Sequence, residues 1–233
     1  MKLIAVGVMA MMALVIAAFS SKPASAEATN EAVPVAQQAQ PAETEQDEEK
    51  FVYIEMKTSL GDIYLELNNE KAPITTENFV RYTEEGFYNG TIFHRVIPGF
   101  MIQGGGFTSE MRKKETHDGI KNEWKNGLKN VRGSIAMARL GGQPDSATAQ
   151  FFINVTDNDF LDQPNPRSPN DNAAYAVFGK VVKGMDAVDK IRDVRTTTKG
   201  PYANVPVEAV EITEVSVLTK EKAEELELVE AAG

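Results

Sequence analysis

The strongest constraint on this chain is the way its apolar residues are grouped: short alternating runs separated by turn-forming residues, with little that repeats at a helical period. FVYIEMK and DIYLEL flank Ser59-Leu60-Gly61-Asp62, and the second run puts Ile63, Leu65 and Leu67 on one face and Tyr64 and Glu66 on the other. A period of two is what a half-buried strand presents, and the tetrapeptide between the runs suits a hairpin turn. TIFHRVI, GFMIQG, GSIAMAR, QFFINV, AYAVFGKVV and VEAVEITEVSVL are further strand candidates. Two segments instead have helical spacing. Pro73 suits a first helical turn, Ile74, Asn78, Phe79 and Tyr82 follow on one side, and Gly86 supplies a stop. Met185, Val188 and Ile191 form a shorter helix after Gly184, with Lys190 and Arg192 near its end. Many short strands and two helices predict an antiparallel sandwich or a closed barrel, not a doubly wound sheet. The pattern alone does not choose between those two.

Composition narrows the chemistry. The 233 residues carry 34 acids against 24 bases, a net charge of −10. Affinity for nucleic acid depends on cationic side chains that release counterions, so nucleic acid is excluded as a partner. With no cysteine in the chain there is no disulfide, thiolate zinc site, thiol nucleophile or lipidated cysteine anchor. His94 and His117 are the only histidines, too few for a three-histidine metal site although one can still join carboxylates. No G-x-S-x-G occurs. Gly104-Gly105-Gly106 lacks the Lys-Ser/Thr ending of a phosphate loop and reads as a loop that needs positive φ. TDNDF at 156–160 lacks the glycine and terminal glutamate of a calcium loop and reads as a turn and cap signal. His94, flanked by Phe93 and Val96, reads as a structural histidine. No metal and no cofactor is expected.

The ends of the chain belong to transport and tethering. Lys2, an uncharged apolar run of 17 residues, and Ala24-Ser25-Ala26 make residues 1–26 a cleavable signal peptide. The alternative is a membrane anchor through uncleaved residues 3–19, at the lower edge of spanning length. Residues 27–50 are rich in Ala, Gln, Glu and Pro without an aromatic residue, a disordered acidic linker by composition. Residues 51–219 form the domain, and 220–233 an acidic tail, either a frayed helix or a loose end.

The chemistry concentrates at residues 93–107, FHRVIPGFMIQGGGF. If FHRVI turns at Pro98-Gly99 into FMIQ, Arg95 and Gln103 come close, with Phe100 and Met101 beside them. Phe151 and Phe152, after Gln150, offer further apolar wall. An apolar recess rimmed by one cation and two amides suits a peptide segment with a compact apolar ring. On spacing alone, however, aromatics cluster more often as core packing, and Arg95 reads equally as a strand-face charge.

FHRVIPGFMIQGGGF resembles the central signature of the cyclophilin-type peptidyl-prolyl isomerases, and the other blocks follow in order. LGDIYLELNNEKAPITTENFVRY resembles the opening hairpin and first helix of that family. GSIAMARLGGQPDSATAQFFINV resembles the far wall of its groove, and NDFLD and YAVFGKVVKGMDAVDKI resemble its pocket floor, late strand and second helix. The match runs from about Phe51 to Leu218, and the exported form looks most like the bacterial periplasmic branch. The resemblance implies a mainly β fold, an eight-stranded antiparallel β-barrel closed by two α-helices. It implies isomerisation of X-Pro bonds in exported proteins, acting as a monomer on unfolded or extended polypeptides, with membrane contact only during export. Two other readings are a holdase that binds proline segments without needing turnover, and a scaffold that uses the 27–50 linker.

Carried over position by position, Arg95 matches the family's catalytic arginine and Gln103 its supporting glutamine. Phe100, Met101, Phe152 and Leu161 match the walls of the proline pocket. Ala138 and Arg139 match the stretch whose backbone grips the substrate chain, with Gln150 beside it. Phe160 stands where the best-known cytosolic members carry tryptophan, and Tyr175 where they carry histidine ahead of V-x-F-G. The family's indole helps hold cyclosporin A, so Phe160 implies weaker inhibition, while Tyr175 can still stack on substrate.

Overall fold

The computed structural model describes residues 50–168 and 170–229. The expected signal peptide and all of the expected linker except Lys50 lie outside the described residues, among which no helix is long and apolar enough to cross a membrane.

Strands β1 (Phe51–Thr58) and β2 (Gly61–Asn68) pair in unbroken antiparallel register from Phe51↔Asn68 to Thr58↔Gly61. The Thr58 hydroxyl ties the turn, donating to Gly61 O at 2.6 Å and accepting from Leu60 N at 3.1 Å. Gly61 sits at φ +125°, a conformation that excludes a β-carbon. As the alternation requires, Ile54, Met56, Ile63, Leu65 and Leu67 are all fully buried. Glu66, on the opposite face, is also buried, and its carboxylate is held by the Tyr53 hydroxyl at 3.1 Å and the Lys180 ammonium at 3.2 Å.

Helix α1 (Pro73–Glu84) begins at proline and buries Phe79 and Tyr82 against the barrel. Its own N-cap position, Ala72, offers no side-chain bond; Glu123 reaches in instead and accepts from Thr75 N at 2.8 Å and Ile74 N at 3.2 Å. A carboxylate there satisfies orphan amides and opposes the positive end of the helix dipole. Gly86 ends the helix at φ +65°.

The remaining strands are β3 (Thr91–Ile92), β4 (Arg95–Ile97), β5 (Met101–Gly104), β6 (Ser134–Met137), β7 (Phe151–Asn154) and β8 (Val177–Lys183). After α2 (Met185–Arg192) come β9 (Thr196–Lys199), β10 (Tyr202–Pro206), β11 (Glu211–Val217) and α3 (Lys220–Glu225). One antiparallel sheet runs β3-β11-β1-β2-β8-β6-β7-β5-β4. Its first and last members, β3 and β4, are separated only by Phe93 and His94, and Phe93 N continues the pairing to Val210 O at 3.0 Å. The segment TIFHRVI is thus one bent strand that pairs with both edges. Counted so, eight strands form a closed barrel, and closure removes the sheet edges that would otherwise template aggregation.

Inside, Phe79, Tyr82, Tyr88, Phe93, Phe151 and Phe178 are fully buried, and Phe79 stacks on Tyr88 at 4.8 Å. Each such ring contributes on the order of 2–3 kcal/mol through area removed from water. Two features go beyond expectation. RTTTKGPYANVPV forms the β9–β10 hairpin, whose signal was the β-branched run ahead of Gly200-Pro201. Of the two readings of the tail, Lys220 onward follows the helical one as α3, with Thr219 accepting from Lys222 N and with Ala223 and Leu228 buried, so it is more packed than a frayed end.

Candidate active site

Strand periodicity sorts the residues of β5, β6 and β7 between two apolar clusters. Ile102, Ile135, Met137, Phe151 and Ile153 point into the barrel core. Their neighbours Met101, Ala136 and Phe152 point the other way and, with Leu161 and Val177, floor a second, smaller cluster on the outer wall. Phe100, Ala138 and Tyr175 pack against it, half-buried. The edge of one of the Phe152 and Tyr175 rings meets the other's face at 5.6 Å and 80°. The residues expected to line a proline pocket therefore fall in one cluster, the site of the expected proline recess, in which Met101, Phe152 and Leu161 are buried and Phe100 and Tyr175 half-buried.

The polar rim is set by the β4–β5 hairpin. Gly99 turns at φ +73° and Phe100 N bonds Ile97 O at 3.1 Å, which places Arg95 opposite Gln103 in register. Arg95 Nη1 donates to Gln103 Oε1 at 3.3 Å, and Gln103 Nε2 donates to Gln150 Oε1 at 3.1 Å. A guanidinium has only donors, so it dictates the orientation of the Gln103 amide, which in turn dictates that of Gln150. The Arg95 guanidinium lies 5.9 Å from the Phe100 ring centre. Burial lowers its pKa from the ordinary arginine value, but an arginine remains charged throughout the physiological range. Among the described residues no carboxylate pairs with this half-buried cation, which is well placed beside the apolar cluster to meet an acceptor brought by a ligand.

The glycine run works differently from the expected loop. Only Gly105 has positive φ, at +76°. Gly104 lies in β5 under the Phe93 ring, and Gly106 makes room for Gln150, whose Cγ would be 2.4 Å from a β-carbon there.

Arg139 was expected to contribute backbone, and its side chain has a separate structural task. The side chain is 3% exposed, and its guanidinium ion-pairs with Asp171 at 2.9 Å. It also donates to the carbonyls of Ala173, Ala174 and Leu140, and it lies 4.7 Å from the Tyr175 ring centre. It thereby fastens residues 171–175, and Tyr175 with them, beside the recess. The Ala138 amide is already used by Gln150 O at 2.9 Å. Phe160 stands at the rim, 65% exposed, stacked on Phe100 at 5.7 Å. His94 is 5% exposed, against the Phe107 ring, and burial together with the neighbouring Arg95 pulls its pKa down to about 4. Residues 156–160, read as a turn and cap, also hold Asn158, a 3% exposed side chain bonded to the Phe100 carbonyl that no local pattern singles out.

A separate cleft of about 400 Å³ is lined by Ser59, Leu60, Arg195, Glu208 and neighbouring residues, and none of the expected site residues lines it.

Among known proteins, residues 53–217 match the family described as "Cyclophilin type peptidyl-prolyl cis-trans isomerase/CLD". A peptidyl-prolyl cis-trans isomerase of Acinetobacter baylyi is 58% identical over 164 residues, covering 70% of this chain and 84% of its own. Peptidyl-prolyl cis-trans isomerase B of Escherichia coli is 55% identical over 160 residues, covering 69% of this chain and 96% of its own. A crystal structure of a Cryptosporidium parvum cyclophilin-type isomerase in the presence of the dipeptide Ala-Pro aligns with a TM-score of 0.58. It shares 25% identity and covers 72% of this chain and 99% of that one.

Proposed function

The chain belongs to the cyclophilin-type peptidyl-prolyl cis-trans isomerase family, and from that footing we propose that it isomerises X-Pro bonds of exported polypeptides at the recess beside Arg95. The observation that carries the assignment of the site is the half-buried guanidinium, braced by Gln103 at 3.3 Å and 5.9 Å from the Phe100 ring centre, beside the apolar cluster of Met101, Phe152 and Leu161.

Amide resonance sets the barrier to rotation at about 18–20 kcal/mol, and uncatalysed exchange takes tens to hundreds of seconds. No bond is made or broken, so the enzyme has to favour the twisted amide over both planar forms. In the twisted form the prolyl nitrogen regains its lone pair and becomes an acceptor. Arg95 donates to that nitrogen, and because the acceptor exists only in the twisted form, the bond lowers the barrier without tightening the ground states. A charge-assisted bond of about 1.5–3 kcal/mol is worth about ten- to a hundred-fold in rate. The rest comes from Phe100, Met101, Phe152 and Leu161, which hold the ring while the acyl side turns, and from the backbone at Ala138 and Arg139, which grips the flanking chain. Gln103 and Gln150 keep the guanidinium aimed. Tyr175 and Phe160 shape the approach to the ring. No titrating group takes part.

The apolar run and Ala24-Ser25-Ala26 support export to the periplasm with cleavage after Ala26, and the protein then acts there as a monomer on unfolded clients. Exchange NMR on an X-Pro peptide tests the site: wild type accelerates cis-trans exchange, and unchanged exchange with Arg95→Ala removes Arg95 from the mechanism. N-terminal sequencing of the protein recovered from a periplasmic fraction tests the export reading, with Glu27 expected as the first residue.

A further inference from the structure

Beneath the recess lies a line of buried amides with a fixed direction. The Asp162 carboxylate, which Lys129 approaches at 3.6 Å, accepts from Asn130 N and Asn130 Nδ2, both at 2.9 Å. A carboxylate only accepts, so Asn130 has to turn its NH₂ to Asp162 and its oxygen to Asn154. Asn154 therefore donates, to Asn130 Oδ1 at 3.1 Å and to Ser134 Oγ at 2.9 Å, and its own oxygen faces Asn158. Asn158 in turn donates, to Asn154 Oδ1 at 2.7 Å and to the Phe100 carbonyl at 2.8 Å. Asn130, Asn154 and Asn158 are at most 3% exposed. One charge at the 3₁₀ turn Asp159–Asp162 thus orients three amides in series, and the series ends on the backbone of Phe100.

Both ends of the series carry walls of the recess. Phe100 is one wall. Leu161, next to Asp162, is another; its N–H bonds the Asn158 carbonyl at 2.8 Å, and its own carbonyl accepts from Tyr175 N at 3.2 Å. A buried amide with two short bonds cannot rotate without leaving acceptors unpaired, so the series behaves as a stiff spacer. We infer that Asn158 is a positioning residue that sets the gap between Phe100 and Leu161, and so the fit of the prolyl ring, without touching substrate. This rests on the proposal that the recess is the proline site.

Most of the ring contacts are already made in the planar ground states, so loss of the spacer weakens binding more than turnover. KM and kcat on an X-Pro peptide are measured by exchange NMR for Asn158→Ala and for Asn158→Asp, which keeps the shape but turns an acceptor onto the Phe100 carbonyl. Both are expected to raise KM by about tenfold while kcat falls by less than about threefold. Phe178→Leu, in the barrel core away from the recess, serves as a variant of lowered thermal midpoint whose KM stays at the wild-type value. A folded Asn158→Ala enzyme with wild-type KM overturns the inference, as does a KM rise that Phe178→Leu reproduces at equal loss of stability. If neither Asn158 variant folds, the wild-type side-chain amide resonances of Asn158 decide: they shift when the peptide fills the recess, and unmoved resonances at saturation overturn the inference. Phe152→Ala separates the two proposals. If its KM is also unchanged, the site assignment itself fails; if it rises while the Asn158 variants do not, only the spacer fails.

Discussion

Gln150 lies across Gly106 so closely that a β-carbon on the glycine would come within 2.4 Å of Gln150 Cγ and 2.8 Å of its Nε2. The missing side chain is what lets Gln150 accept from Gln103 Nε2 at 3.1 Å, and Gln103 is the brace of Arg95. A glycine, two amides and a guanidinium therefore act as one assembly, although 47 residues separate the two glutamines. Gly106→Ala tests it. Its φ is not in the left-handed region, so alanine adds no backbone strain and acts by pushing Gln150 aside. The expected outcome is a thermal midpoint within a few degrees of wild type and a kcat/KM lowered about three- to tenfold, the worth of one neutral hydrogen bond. An unchanged kcat/KM would show that Gln150 does not help to aim Arg95.

Arg95→Ala removes the guanidinium braced by Gln103 and should lower kcat at least tenfold with a small change in KM, since the bond it makes arises in the twisted state. Arg95→Lys should recover little of this, because an ammonium on a flexible stem does not reproduce a planar donor braced by Gln103. Single-turnover exchange measurements with both variants check it. The same folded Arg95→Ala protein discriminates a holdase: full rescue of a proline-rich client by the variant would make turnover secondary.

The β4–β5 hairpin was legible because its information is local. Pro98-Gly99 announces the turn, and eight residues of register then place Arg95 opposite Gln103. Strands β1 and β2 and helix α1 were legible for the same reason. Closure of the barrel was legible only through the family resemblance, since TIFHRVI reads as one strand and nothing within it says that its two halves pair with opposite edges of the sheet. The glycines were misread in part: a sequence shows that a side chain is absent, not whether φ or a neighbour such as Gln150 demands it. The roles of the Arg139 and Asn158 side chains were invisible, because both depend on partners brought in by tertiary packing.

Arg139→Ala would leave Asp171 a buried carboxylate without its guanidinium and free the carbonyls of Ala173 and Ala174. Breaking a buried pair from one side costs about 3–5 kcal/mol, and denaturant unfolding should register a loss of that order. An Arg139→Met/Asp171→Leu double variant should regain most of the stability. It should not regain the wild-type KM, because Tyr175 loses the cation that packs against its ring at 4.7 Å. A double variant with both stability and KM restored would show that Tyr175 is held by other contacts.

Phe160 stacks on Phe100 at the open rim and presents no N–H. Phe160→Trp places an indole donor at that rim without touching the floor of the recess. Cyclosporin A should then bind about three- to tenfold more tightly, the range expected of one added hydrogen bond at a half-wet site. Turnover on an X-Pro peptide should stay within about twofold of wild type. Competition titration measures the first and exchange NMR the second; equal inhibition of the two proteins would show that the residue at this position does not govern drug affinity.

His94 supplies the pH prediction. Its native pKa is drawn from 6.5 down to about 4 by burial against Phe107 and by the adjacent Arg95, so the folded protein favours the neutral ring. Above pH 6.5 the ring is neutral in both folded and unfolded chains, and the full contribution is present. As pH falls from 6.5 toward 4 the unfolded chain takes up a proton that the folded one refuses, and up to about 3 kcal/mol of stability is lost; below about pH 4 the loss levels off. His94→Gln has no such proton, so the difference in unfolding free energy between the two proteins should narrow in favour of the variant across that window and be constant above pH 7. Carboxylates that titrate in the same range are common to both proteins and cancel in the difference. Activity should not follow the same curve, because no titrating group acts in the recess: kcat/KM should be flat from pH 6.5 to 8 in both. Parallel stability curves for wild type and His94→Gln from pH 7 to 4 would show that His94 is protonated as readily in the folded chain as in the unfolded one.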